Sequence, residues 1–146
     1  MLALDSDLLA ILHIFKVDAR FEVTRQFFQK IKDQPKGITI FTLLELCGIV
    51  ATSTGKEDAS EIFHQYISSG DSIIIYPDLL TKNNDEFWAS LVSESFLRIQ
   101  RGMRLGDAVI LWTLETNREV DTFVTWNTKH FKGKTSLKIL TPSEFL

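Results

Sequence analysis

Five short apolar runs constrain this chain more than any other feature: Met1–Leu4, Ile38–Ile40, Ser72–Tyr76, Thr122–Thr125 and Leu137–Leu140. Each is too short for a helix, and Pro77 stops the third. Runs of this length without polar alternation read as strands buried on both faces. Most of the segments between them carry helical spacing. Leu8, Leu9, Ile11, Leu12 and Phe15 follow the first run, with Ser6 placed to cap that helix and Asp7 in its first turn. A helix is expected over about residues 18–33, ended by Pro35-Lys-Gly37, and another around Glu45 up to Ser53–Gly55. Lys56–Ser68 has Ala59, Ile62, Phe63 and Tyr66 on one face. Further helices are expected over about 84–100 and 106–118, with a last turn opened by Pro142. Short apolar strands joined by helices give an α/β fold, a parallel sheet covered on both faces.

The length of 146 residues suits one domain spanning 1–146. A net charge of −3 gives no general attraction to nucleic acid and argues against a passive backbone-coating protein. Cys47 is the single cysteine, so no internal disulfide can form, and its apolar segment reads as an inert buried thiol. The start lacks the basic region of a signal peptide, and no charge-free run reaches membrane-spanning length. The expected location is the cytoplasm.

Acidic residues interrupt the apolar segments. Glu45 is the only charge between Lys36 and Lys56, Asp5 and Asp7 interrupt the first segment, and Asp107 interrupts Leu105–Trp112. A carboxylate among apolar neighbours is costly unless it is paired, neutralised or bound to metal. Asp107 shares its helix face with Ile110, Leu111 and Leu114. Ligand sites in parallel sheets lie beyond the carboxyl ends of the strands. Asp5 ends the first strand and Asn127 follows the fourth, so Asp5, Glu45, Asp107 and Asn127 are expected to converge there. Oxygen donors of this kind suit Mg²⁺ or Mn²⁺, which could orient a phosphodiester and activate water. The plainer alternatives are a cap for Asp5, a solvated face for Glu45, a helix-dipole partner for Asp107 and a turn residue for Asn127. Asp7 reads equally as a cap or as support for the site.

The motifs resemble those of the PIN-domain family, and in particular the small ribonucleases of the VapC toxin type. Leu4-Asp5-Ser6-Asp7-Leu8-Leu9 is similar to the family's opening, and Thr42-Leu-Leu-Glu45-Leu to its central motif. Leu105-Gly-Asp107-Ala108 and Val124-Thr125-Trp126-Asn127 resemble the later ones, and the ending from Ile139 to Leu146 is also similar. The resemblance implies a five-stranded parallel sheet of order 3-2-1-4-5 between helices. It implies metal binding by Asp5, Glu45 and Asp107, with Thr125 as support. Asn127 stands where many members carry Asp, and Asp7 where Asn is usual. An RNA substrate, a homodimer and a small inhibitory antitoxin are also implied.

Arg101, Arg104, Lys129 and His130 flank these motifs in sequence and are candidates for RNA contact, with Lys132 and Lys134 nearby. Trp126 reads as a packing or interface residue, and most of Phe27, Phe28, Phe87, Trp88 and Phe96 as core. Two other functions fit less well: a PIN-like binding domain without catalysis, and a receiver-like phosphate-handling domain, for which the expected late lysine is not evident.

Overall fold

The computed structural model describes residues 1–78 and 83–146. Its strands are β1 (Leu2–Leu4), β2 (Lys36–Thr39), β3 (Ile73–Ile75), β4 (Thr122–Val124) and β5 (Lys138–Leu140). All neighbouring strands are parallel, in the order β3-β2-β1-β4-β5. That is the order the motif resemblance implies, and it differs from the receiver order 2-1-3-4-5.

Helices α1 (Ser6–His13), α2 (Phe21–Lys30), α3 (Ile40–Ser53) and α4 (Lys56–Ser68) occupy the first half, and α5 (Asn84–Gln100), α6 (Leu105–Thr116) and α7 (Pro142–Phe145) the second. They bury both faces of the sheet, which explains why its strands lack polar alternation. Leu2, Leu4, Ile38 and Val124 join Leu8, Leu9, Phe27, Leu43 and Leu46 in one core. Ala3, Phe123 and Ile139 point the other way and pack with Ile110, Leu111, Leu114 and Phe131.

Several local expectations change. Asp5, not Ser6, caps α1: its carboxylate accepts the Ser6 N–H at 2.8 Å. The expected helix over 18–33 is shorter, because Asp18 and Arg20 bond to each other in the preceding turn. Ser72–Tyr76 is not fully buried. Its strand lies at the sheet edge, and Ile73 and Tyr76 are 51% and 55% exposed. Phe27 is fully buried, but Trp88 and Phe96 are 60% and 57% exposed on α5 rather than in the core. Cys47 is half-buried, and burial pushes its thiol up from the ordinary range. No helix among the described residues is long and apolar enough to cross a membrane.

Candidate active site

The order in which strands are added reverses at β1. Its chain continuation goes to β2 on one side, and β4 pairs with it on the other. Such a reversal opens a crevice above the carboxyl ends of the strands. Asp5 leaves β1 there, beside Thr125 and Asn127 leaving β4. Thr39 caps α3 by accepting the Thr42 N–H at 2.9 Å, which sets Glu45 in the second turn. Asp107 sits in the first turn of α6. These four elements bring Asp5, Asp7, Glu45, Asp107 and Asn127 to one cavity of about 250 Å³, which Ser6, Arg104, Gly106 and His130 also line.

The back of the cavity is tightly held. Asp5 is buried, and its second oxygen accepts the Thr125 hydroxyl at 2.7 Å. The same Thr125 oxygen accepts the Asn127 N–H at 2.9 Å. Asp7 accepts the Trp126 N–H at 2.9 Å, so it braces the end of β4 rather than serving only as a helix-dipole partner. Trp126 is itself anchored: its indole N–H donates to the buried Thr24 hydroxyl at 3.1 Å. Asp5, Asp7, Thr125 and Trp126 therefore form one connected set across β1 and β4.

The front is looser. Glu45 is exposed rather than enclosed by its apolar segment, since the face of α3 bearing Leu44, Glu45 and Gly48 meets solvent. The Ser6 hydroxyl donates to its carboxylate at 2.7 Å. Asp107 is half-buried, and His130 Nδ1 lies 3.2 Å from its Oδ2. Spacing from a core face did not reveal that contact, because His130 arrives from the turn Thr128–His130 beyond β4. Asn127 and Arg104 are exposed at the rim. Arg101 is brought to neither the acidic cavity nor the basic recess next to it; it ends α5 in solvent. Lys129 lines that recess but not the acidic cavity.

Burial, followed by the charge of Asp7, holds the Asp5 carboxyl well above the usual carboxylate range; the bonds from Thr125 and Ser6 oppose this. Burial pushes Asp7 up to about 6, against the bonds from Trp126 and Thr125. Asp7 Oδ1 is buried and has no hydrogen-bond partner. Clustered carboxylates with raised proton affinity and an orphaned oxygen gain from a bound cation, and an all-oxygen donor set fits a hard divalent ion. Among the described residues no three acidic, histidine or cysteine side chains form a closed cluster for such an ion. The acids line the cavity without meeting at its centre, so the fit is one of donor chemistry rather than of preformed coordination.

No protein-family model matches the sequence, and neither does any curated protein sequence. Solved structures match in fold. VapBC2 from Rickettsia felis, bound to a DNA fragment from their promoter, matches with a TM-score of 0.65 at 18% identity, over 96% of this chain and 97% of that one. Mycobacterium tuberculosis VapC20, a sarcin–ricin loop cleaving toxin, matches with a TM-score of 0.64 at 13% identity, over 94% and 99%. FitAcB from Neisseria gonorrhoeae matches with a TM-score of 0.63 at 15% identity, over 98% and 99%. At such identities the likeness is one of fold. With its five parallel strands in the order 3-2-1-4-5 and its match along nearly the whole of these chains, this protein has the VapC-type PIN-domain fold.

Proposed function

We propose that this protein, as a single PIN-like domain in the cytoplasm, is a metal-dependent endoribonuclease and the toxin of a toxin–antitoxin pair. The observation that carries the reading is the meeting of Asp5, Glu45, Asp107 and Asn127, from four separate parts of the chain, at one cavity of a VapC-type fold. Asp5, Glu45 and Asp107, with the Asn127 amide oxygen, would hold Mg²⁺ or Mn²⁺. When bound, such an ion polarises the phosphodiester, activates a water and neutralises the leaving oxygen. The protein's own contribution is orientation. Ser6 N–H and the Thr125 hydroxyl fix the two oxygens of Asp5, and the Ser6 hydroxyl turns Glu45 toward the cavity. Arg104 at the rim offsets the charge of an approaching phosphate.

An antitoxin partner is supported by a separate feature. An apolar groove of about 730 Å³ between α5 and α6 is lined by Phe41, Leu91, Val92, Phe96, Leu105 and Val109, with Glu45 also in its wall. Its α5 wall is an exposed stripe at helical spacing, Val92, Phe96 and Ile99, which Trp88 extends. A segment with an apolar face and one basic side chain would fill the groove and reach the acids. Homodimer formation belongs to the same proposal and is read by light scattering.

Cleavage of RNA with Mg²⁺ or Mn²⁺, stopped by EDTA and by Asp5→Asn or Glu45→Gln, is the expected result. Full activity of both variants would refute the reading. A second reading, a PIN-like domain that binds RNA or protein without turnover, is favoured by the neutral Asn127 and by the engagement of Asp107 with His130. Tight binding without any metal uptake in calorimetry would support it.

A further inference from the structure

We propose that the small basic recess beside the acidic cavity is a phosphate subsite, in which Arg104, Lys129 and Lys134 hold one backbone phosphate of the RNA strand. The ribonuclease reading enters only in naming RNA as the source of that phosphate. The recess has a volume of about 100 Å³ and is lined by these three cations, His130 and Asp107, over a floor of Gly102 and Met103. That space equals roughly three water volumes. That is room enough for a phosphate group.

The charges in the recess are uncommitted. Asp107 and His130 already face each other at 3.2 Å. None of the ion pairs among the described residues involves Arg104, Lys129 or Lys134. By contrast, Lys132, between them in sequence, pairs with Glu144 at 3.1 Å. Asp107 is the one carboxylate in the lining, so the three cations outnumber it, and an anion gains from that excess. Arg104 is also the N-cap of α6, a helix of 12 residues whose first turn has no side-chain cap. Its open N–H groups add partial positive charge at the same place.

Both walls are fixed by packing. After α5 the chain turns at Gly102, with φ of +86°, and Met103 N–H bonds back to the Arg98 carbonyl at 3.1 Å. Met103 is buried. On the other wall, Phe131 is buried edge-to-face against Phe123, with ring centres 5.0 Å apart, so Lys129 and Lys134 flank an anchored aromatic residue. The recess shares Arg104, Asp107 and His130 with the acidic cavity. A strand lying across both would place one phosphate at the acids and a neighbouring one here. Lys134, which is half-buried, thus acquires a role, and Arg101 has none in the recess.

The test uses the full chain in EDTA, so that no cleavage occurs. Inorganic phosphate is titrated into isotope-labelled protein and followed by NMR. The expected shifts fall on the amides of 104–107 and 129–134, and Arg104→Gln or Lys134→Gln abolishes them. A labelled RNA oligonucleotide is then titrated across a salt series. Each of these variants should lower the slope of log affinity against log salt by about 0.7, the value for one single-strand phosphate contact. Lys132→Gln should leave the slope unchanged, and Lys134→Arg should retain it. Circular dichroism melting identifies any variant that loses its fold, and Lys129→Gln then replaces it. RNA binding with the slope unchanged in the glutamine variants overturns the subsite alone, whether or not free phosphate binds. No RNA binding by the unmodified protein in EDTA overturns the strand as the source of the phosphate and, with it, the subsite, while the cleavage assay with Mg²⁺ or Mn²⁺ decides the ribonuclease reading separately.

Discussion

Thr125→Val is the most direct test of how the back of the site is held. The substitution keeps the side-chain shape, at a position with 0% exposure, and removes only the hydroxyl. That hydroxyl donates to the buried Asp5 carboxylate at 2.7 Å and accepts the Asn127 N–H at 2.9 Å. Leaving the buried Asp5 oxygen without its donor costs about 1–3 kcal/mol. The orphaned Asn127 N–H adds about 1 kcal/mol, at the low end because Asn127 is exposed and water can reach it. The extra buried methyl returns about 0.8 kcal/mol. The net is a destabilisation of about 1–3 kcal/mol, or a fall in Tm of about 2–12 °C for a chain of this size. Urea unfolding in EDTA measures it, with an unchanged m-value confirming that the denatured state is not the cause. Thr125→Ser should lose no more than about 1.5 kcal/mol, since only a methyl goes. In a double-mutant cycle with Asp5→Asn, the coupling should exceed about 1 kcal/mol. A Thr125→Val protein within about 0.5 kcal/mol of the parent would refute the account of Thr125 as the link between Asp5 and β4.

The raised proton affinity of Asp7 sets a pH dependence with an unusual sign. Its pKa rises from the ordinary 3.8 to about 6 on folding, so the folded chain binds the proton more tightly. The Asp7 contribution to stability without divalent ions should therefore fall as pH rises between about 4 and 6, so the parent should lose stability relative to Asp7→Asn across that part of a thermal-melting profile. A difference from Asp7→Asn that stays level or rises in that window would contradict the burial of Asp7. Gly37→Ala should cost about 1–3 kcal/mol, because its Cβ would stand 2.8 Å from the Ile73 carbonyl oxygen and crowd β3 away from β2. Urea titration measures this, and a neutral result would place β3 elsewhere. Phe27→Ala should lose about 3–5 kcal/mol, since Phe27 is fully buried and packs edge-to-face on Phe28 and Phe145. A loss below about 1 kcal/mol by the same method would show that α2 and α7 do not share this core.

The sheet was legible in the sequence because both its faces are covered. Leu2 and Leu4 pack to one side and Ala3 to the other, so all three had to be apolar. That same signal misled at Ile73, since composition does not distinguish a central strand from an edge strand. The exposed Trp88 and Phe96 escaped a reading that equates aromatic with buried, although their spacing on α5 marks one helical face. The acids were found individually because charge is conspicuous in an apolar run. Their inequality was not legible: Asp5 is buried, Glu45 is exposed, and both carboxylates answer to Ser6, through its N–H and its hydroxyl respectively.

The sequence alone therefore determined the α/β class, the placement of most elements and the residues to watch at the strand ends. Those properties depend on local periodicity and on which side chains tolerate burial. Only the tertiary structure decided which groups share a wall. Asp107 meets His130, Asp7 braces Trp126, and Lys134 joins Arg104 while Arg101 does not. These pairings join residues up to 119 positions apart. They are set by strand order, helix crossing and the anchoring of loops by Met103 and Phe131, and none of these leaves a mark at a fixed spacing in the chain.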